Sequence, residues 1–360
     1  MRERLPTDVF RLPVERLRSG YYSDAYFNFT KELLEAENHR PRVVMQVFQK
    51  RDAVLGGIDE ALAVLRCGAG EAVAGGGWRD GWPALEVHAL HEGDGIAPHE
   101  TVMTIEGDYA LFAHLETVYL GCLARRSLVM TNVRDVVRAA GEKPVLFFPA
   151  RHDHWLAQTG DGWAAHVGGA IGVSTDAQAS WWGGRGVGTV PHGLIAAYGG
   201  DTVAAARAFA RRFAADMDVT VLVDFDNDSV EAALAVADAL GDDLWGVRLD
   251  TSETMVDRSL FDEMGDFRPT GVNPRLVHRV REALDAAGHR RVRIVVSGGF
   301  DAGRIRDFER AGVPVDAYGV GSTLLDGSNN FTADIVGVDG RPCAKAGRRQ
   351  RPNPRLQRVD

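Results

Sequence analysis

The stretch VTVLVDFDNDSVEAALAVADALGDDLWGVRLD, residues 219–250, decides the fold. Its opening, 219–225, is a β-branched apolar run of the kind that forms a buried strand. Residues 228–240 then place apolar side chains at helical spacing, with Asp228 or Ser229 as cap, and 244–250 (LWGVRLD) is a second strand. The alternation continues on both sides. Upstream, 143–150 (KPVLFFPA) reads as a strand and 201–215 as an Ala-rich helix capped by Asp201. Downstream, 273–287 is a helix with Pro274 in its first turn, 292–297 (VRIVVS) a strand, 302–311 a helix and 317–320 a last short strand. Strands alternating with helices are βα units of a parallel sheet, and continuous apolar strands mean a sheet covered on both faces. Polar residues collect where these strands end: Arg151, Asp224, Asp226, Arg248, Asp250, Ser297-Gly298-Gly299 and Gly319-Val320-Gly321. That placement favours an α/β barrel of the TIM-like kind over a doubly wound sheet, although both bind ligands at that edge.

The first ~105 residues read differently. Residues 42–48 (RVVMQVF) form a strand, 59–65 a short helix, and 84–89 and 101–106 strands of an antiparallel or mixed sheet. Gly75-Gly76-Gly77 and Gly93-Asp94-Gly95 are turns. Residues 111–139 are a long helical stretch, with Thr131-Asn132 as its weak point. The expected organisation is an N-terminal α/β sandwich over 1–108, joined by the tail 326–360, and an incomplete α/β barrel over 109–325.

Composition narrows the functional classes. The 360 residues carry 41 basic and 50 acidic side chains, a net charge of −9, which argues against nucleic-acid binding. No apolar run reaches the ~20 residues that span a bilayer, and the N-terminus lacks a signal-peptide core, so a cytoplasmic protein is expected. Cys67, Cys122 and Cys343 are scattered and form neither a disulfide framework nor a thiolate zinc site. Residues 341–360 hold seven basic side chains and one acidic, leaving 34 against 49 in the rest. Such a tail is either a solvated terminus or an anion contact. Glycine, 41 residues, is in excess and sits in clusters at the ends of apolar runs, where backbone meets a ligand.

Two of those clusters suit phosphate. Gly319-Val320-Gly321-Ser322 and Ser297-Gly298-Gly299 follow the last two strands, where barrels commonly bind phosphate on exposed backbone N–H groups. In the loop Gly188-Thr189-Val190-Pro191-His192-Gly193, a neutral imidazole suits a base or a nucleophile toward a phosphoryl group. Arg151 offers a fork for a carboxylate or phosphate. His152 and His154 share a strand face, as a metal pair would, but no third ligand follows. Asp250 beside Arg248 suits hydroxyl or magnesium–pyrophosphate contacts, or a cap and salt bridge. The aromatic run from Tyr21 to Phe27 is either core or a stacking surface for a flat ring, including one across a subunit boundary.

Nine stretches in this order resemble the type II phosphoribosyltransferases, and among them the nicotinate phosphoribosyltransferase family. They are YYSDAYF (21–27), HEGD (91–94), LFAHLETVYLGCLARRSLVMTN (111–132), FFPAR (147–151), GGAIGVS (168–174), GTVPH (188–192), GVRLDT (246–251), VSGGFD (296–301) and YGVGS (318–322). The resemblance implies an enzyme that joins nicotinate to phosphoribosyl pyrophosphate, giving nicotinate mononucleotide and pyrophosphate in NAD biosynthesis. ATP hydrolysis would be coupled through a phosphorylated histidine, Mg²⁺ would be required, and a homodimer or larger homo-oligomer would share its active sites. Residue by residue, it implies His192 as the phosphorylated histidine, Arg151 as a contact to the nicotinate carboxylate or to phosphate, and Asp250 at the ribose hydroxyls or magnesium. Ser297, Gly298, Gly299, Gly319, Gly321 and Ser322 would hold the 5-phosphate. Tyr21 would stack on the pyridine from a neighbouring subunit, and Arg125 and Arg126 would lie near pyrophosphate. Ser174, Thr189, Asp224 and Arg248 complete the expected substrate-binding set.

The sequence also departs from the family. Val173 replaces a usual threonine, Thr251-Ser252-Glu253 stands where Ser-Gly-Asp is common, and the cysteines of a C-terminal zinc knuckle are missing. Nicotinamide-using relatives carry an acidic residue near neutral Ser174, which favours a carboxylate substrate, although Asp176 is close. The alternatives are a nicotinamide or quinolinate phosphoribosyltransferase, or a non-catalytic relative that binds a phosphosugar. No lysine lies at a barrel strand end, which argues against a Schiff-base lyase or aldolase.

Overall fold

The computed structural model describes residues 3–360, and the chain divides into two units: Met1–Thr131 with Gly327–Asp360, and Asn132–Asp326. The division falls inside the helix Glu116–Ala140, not at 108/109 where the sequence placed a junction. The helix does not break at Thr131. The Thr131 hydroxyl donates to the Ser127 carbonyl at 2.6 Å, one turn back, so its competing hydrogen bond stays within helical geometry.

In the first unit, six antiparallel strands lie in the order Arg341–Pro342, Thr332–Val338, Arg42–Phe48, Thr101–Asp108, Glu86–Ala89, Gln357–Arg358. Alternating burial over 103–108 turns Met103 and Ile105, with Val102 beside them, into a core shared with the helix Ile58–Gly68. Thr332–Val338 lies in the tail, and its pairing with Arg42–Phe48 makes that tail part of the sheet. Residues beyond it are tied down as well: Gln46 Nε2 donates to the Arg349 carbonyl at 2.9 Å, and Arg355 pairs with Glu100 at 2.7 Å. The aromatic run at 21–27 is neither strand nor core. It leads into the helix Ala25–Ala36, which buries no residue and exposes Tyr26, Phe29 and Leu33.

The second unit is the expected incomplete barrel. Its six parallel strands run in the order Val219–Leu222, Leu244–Leu249, Arg293–Val296, Ala317–Val320, Val145–Phe147, Gly172–Val173. Residues 187–190 join the two edges: Val187 N–H donates to the Val173 carbonyl at 2.7 Å, Val190 N–H to Thr220 at 2.8 Å, and Leu222 N–H to Val190 at 3.3 Å. Val219–Leu222 and Ala317–Val320 are buried on both faces, as their apolar runs required. Five helices start with a side chain accepting a backbone N–H three residues on: Thr175 from Gln178, Asp201 from Ala204, Asp228 from Glu231, Asn273 from Leu276 and Asp301 from Arg304. The helix Gln158–Gly168 has no counterpart in the sequence reading, because Gly160, Gly162 and Gly168 hide its propensity.

Among the described residues, no helix is long and apolar enough to cross a membrane.

Candidate active site

The carboxyl ends of the barrel strands enclose a cavity of about 530 Å³. Strand alternation along Leu244–Leu249 buries Val247 and Leu249 and leaves Arg248 half-buried in the cavity wall. Arg248 Nε donates to Ser297 Oγ at 2.8 Å, Nη1 to Thr189 Oγ1 at 3.4 Å, and Nη2 lies 3.4 Å from Asp250 Oδ2. Its guanidinium sits 4.9 Å above the Phe148 ring. Ser297 Oγ in turn donates to Asp250 Oδ1 at 2.7 Å, so one polar chain links the ends of two neighbouring strands.

His192 stands two residues past the 187–190 link and opens the short helix His192–Ala197. Its Nε2 lies 2.9 Å from Asp224 Oδ1. The Asp224 side chain is 5% exposed and the His192 side chain 43%. The hydrogen bond to Asp224 holds the imidazole pKa above its ordinary value, against the opposing effect of burial. Because the carboxylate accepts at Nε2, the neutral ring keeps its lone pair on Nδ1.

The two glycine turns also line the cavity. Gly298 and Gly299 have φ of +86° and +69°, a left-handed pair that side chains adopt only with strain. A Cβ on Gly319 would stand 2.5 Å from Phe148 Cε2. Among the described residues, the N–H groups of Gly298, Gly299 and Gly321 donate to no backbone carbonyl, and all three residues line the cavity. Unsatisfied amides at a concave, partly cationic wall form an anion site.

A solved structure described as nicotinate-nucleotide pyrophosphorylase from Pyrococcus furiosus is 33% identical to the chain, with a TM-score of 0.78 over 96% of this chain and 84% of that one. A nicotinate phosphoribosyltransferase of Mycobacterium tuberculosis is 32% identical over 269 residues, 72% of this chain and 55% of that protein. The chain belongs to the nicotinate phosphoribosyltransferase family. Residues 24–127 also match the family described as quinolinate phosphoribosyl transferase, N-terminal domain. The human nicotinic acid phosphoribosyltransferase structure shares the fold, at 18% identity and a TM-score of 0.64 over 89% of this chain and 76% of that one. The chain spans about half the length of the curated relatives it matches.

Within this member of the nicotinate phosphoribosyltransferase family, Arg151, Ser174, Thr189, His192, Arg248, Asp250, Ser297, Gly298, Gly299, Gly319, Gly321 and Ser322 all line the one cavity. Arg151 is exposed there and makes no ion pair with a described residue. Ser174 Oγ donates to Gln178 Oε1 at 3.2 Å. Asp224, expected as a substrate contact, stands behind His192 and outside the lining, with its carboxylate on the imidazole. Tyr21, Arg125 and Arg126 belong to the other unit. There Arg126 makes a two-point ion pair with Glu60, at 2.9 and 3.4 Å, and Tyr21 is exposed beneath the Arg16 guanidinium.

His152 and His154 do not form a metal pair. His152 lines the cavity, whereas His154 Nδ1 accepts the Leu156 N–H at 3.3 Å. Among the described residues, no group of three His, Cys, Asp or Glu side chains could hold a metal ion. Asp250 is the single carboxylate in the lining, which suits magnesium carried mainly by substrate oxygens and water.

Sequence reasoning did not select Phe148, His152 or Thr323 for the lining, or Arg304 behind it. Phe148 was hidden in an apolar run. The signal was its parity: Phe147 is core, so Phe148 must face the other way.

Proposed function

We propose that the chain transfers the phosphoribosyl group of phosphoribosyl pyrophosphate to nicotinate, giving nicotinate mononucleotide and pyrophosphate, in NAD biosynthesis. The observation that carries this reading is one cavity holding two glycine turns with open amides, the Arg248–Ser297–Asp250 chain and the His192–Asp224 pair. The pyridine nitrogen forms a bond to the ribose C1 while the C1–oxygen bond to pyrophosphate breaks, through an oxocarbenium-like state. The protein's work is positioning and neutralisation of charge. The glycine turns hold the 5-phosphate, and Arg151 takes the nicotinate carboxylate. Asp250 faces the ribose hydroxyls and the developing positive charge. Mg²⁺, arriving with pyrophosphate and contacted by Asp250, would neutralise the leaving group.

ATP hydrolysis is coupled through His192, whose Nδ1 takes up the γ-phosphoryl group with ADP leaving. Asp224 balances the charge gained by the ring. Nicotinate suits the lining better than quinolinate because Arg248 and His192 are already paired with carboxylates, which leaves Arg151 as the arginine free for one carboxylate. The enzyme acts in the cytoplasm as a homodimer or larger homo-oligomer. That reading is supported by the exposed aromatics Tyr21, Tyr22, Tyr26 and Phe29, a patch that asks for a partner.

The deciding experiment measures product from phosphoribosyl pyrophosphate with nicotinate, nicotinamide or quinolinate, each with and without ATP. Nicotinate use stimulated by ATP is expected. Turnover of quinolinate without ATP, or of nicotinamide equal to nicotinate, would overturn it.

A further inference from the structure

The phosphate-facing turn at 297–299 is held from behind by a residue outside the cavity lining. Arg304, in the first turn of the helix Ala302–Arg310, donates from Nη1 to the Gly298 carbonyl at 2.8 Å and to the Gly299 carbonyl at 3.1 Å. Its Nη2 donates to the Val272 carbonyl at 2.5 Å, and its guanidinium stacks 4.3 Å from the Phe300 ring centre. We propose that Arg304 is a positioning residue that fixes the polarity of the phosphate turn, an inference that rests on reading that turn as the phosphate cradle.

A trans peptide is planar, with its C=O and N–H pointing in opposite directions. Holding the Gly298 and Gly299 carbonyls toward Arg304 therefore aims the N–H groups of Gly299 and Phe300 away from it. Both residues line the cavity, and neither amide donates to a backbone carbonyl among the described residues. Two adjacent glycines give this backbone more freedom than any other pair, so either peptide plane can flip at little cost once unclamped. A flipped plane presents a carbonyl oxygen to the phosphate and repels it. The rigid fork of a guanidinium reaches two successive carbonyls and a third across the loop, which a lysine ammonium on its flexible stem cannot reproduce. The contact to Val272 also ties the end of the long connection 251–272 to the same turn.

The test uses ribose 5-phosphate titrated by calorimetry into the wild-type protein, Arg304→Met and Arg304→Lys, with initial-rate kinetics on each. Arg304→Met should weaken ribose 5-phosphate binding at least tenfold and raise the KM for phosphoribosyl pyrophosphate by the same factor. Its kcat and its KM for nicotinate should stay within about threefold. Arg304→Lys should fall between, and it decides the matter if the methionine variant does not fold. Unchanged ribose 5-phosphate affinity in a folded variant would overturn the role of Arg304 while leaving the cradle intact. Equal losses toward both substrates would show a merely structural residue and overturn it too. Failure of the wild-type protein to bind ribose 5-phosphate would instead remove the cradle itself, and this proposal with it.

Discussion

Replacing Asp224 by asparagine isolates the partner of His192 without changing its shape. The wild-type hydrogen bond is 2.9 Å long to a carboxylate that is almost fully buried, so the charge acts at close range. Hydrogen bonds to charged groups contribute about 1.5–3 kcal/mol. The imidazole is 43% exposed, and solvent screening places this one near the lower end, about 1.5 kcal/mol or roughly tenfold in rate. The direction in pH follows from the raised pKa of His192. In the proposed ATP coupling the nucleophilic ring must be neutral, so the acid limb of ATP hydrolysis should lie above the ordinary histidine value in the wild type. Without the carboxylate, that limb should move to lower pH, while the plateau falls about tenfold because the phosphorylated ring loses its counter-charge. Stability moves in the same sense. The pair's contribution is fully present below the ordinary value near 6.5 and is lost as pH rises through the raised one. The assay is the initial rate of nicotinate-dependent ATP hydrolysis from about pH 5.5 to 9. An acid limb that does not move in a folded Asp224→Asn protein would refute the reasoning.

Other perturbations separate the site from its frame. Arg248→Met should cost at least about 2 kcal/mol in kcat/KM for phosphoribosyl pyrophosphate, because Ser297 and Asp250 lose a charged donor together; steady-state kinetics would show it. Gly319→Ala must displace Phe148, and should raise the KM for phosphoribosyl pyrophosphate more than it lowers the thermal midpoint. Arg126→Ala breaks a pair whose side chains are 12% and 13% exposed, and should lower stability by about 3 kcal/mol in urea titration. Burial, with Asp334 and Asp24 nearby, pushes the Glu116 carboxyl up to about 8. A raised acid pKa makes the wild type lose stability as pH climbs from about 4.5 toward 8, so Glu116→Gln should flatten the thermal midpoint across that window.

The barrel was legible because its strands are short, apolar and bounded by capping residues. Residues 317–320 and 42–48 were placed to the residue, and Asp201 was placed as cap. The glycine turns were legible for the same reason: an apolar run that ends in Gly-Gly leaves few conformations. What escaped depends on partners distant in sequence. Thr332–Val338 has most of its ladder from Arg42–Phe48, nearly 300 positions away. Asp224 looked like any polar strand end, and only the path of residues 187–190 puts His192 in front of it. Arg304 looked like one more surface arginine on an amphipathic helix, and its reach to three carbonyls is a tertiary fact.

The link at 187–190 has a mechanical meaning. Three main-chain hydrogen bonds join the sheet edges there, whereas Leu244–Leu249 pairs four residues with the strand on each side. It is the seam along which the wall should open first, so its amides should exchange with deuterium sooner than those of Leu244–Leu249. His192 is two residues from that seam. A bulky, charged adduct on its ring would therefore press on the part of the wall that yields most easily, and cavity width would follow the chemical state of one side chain.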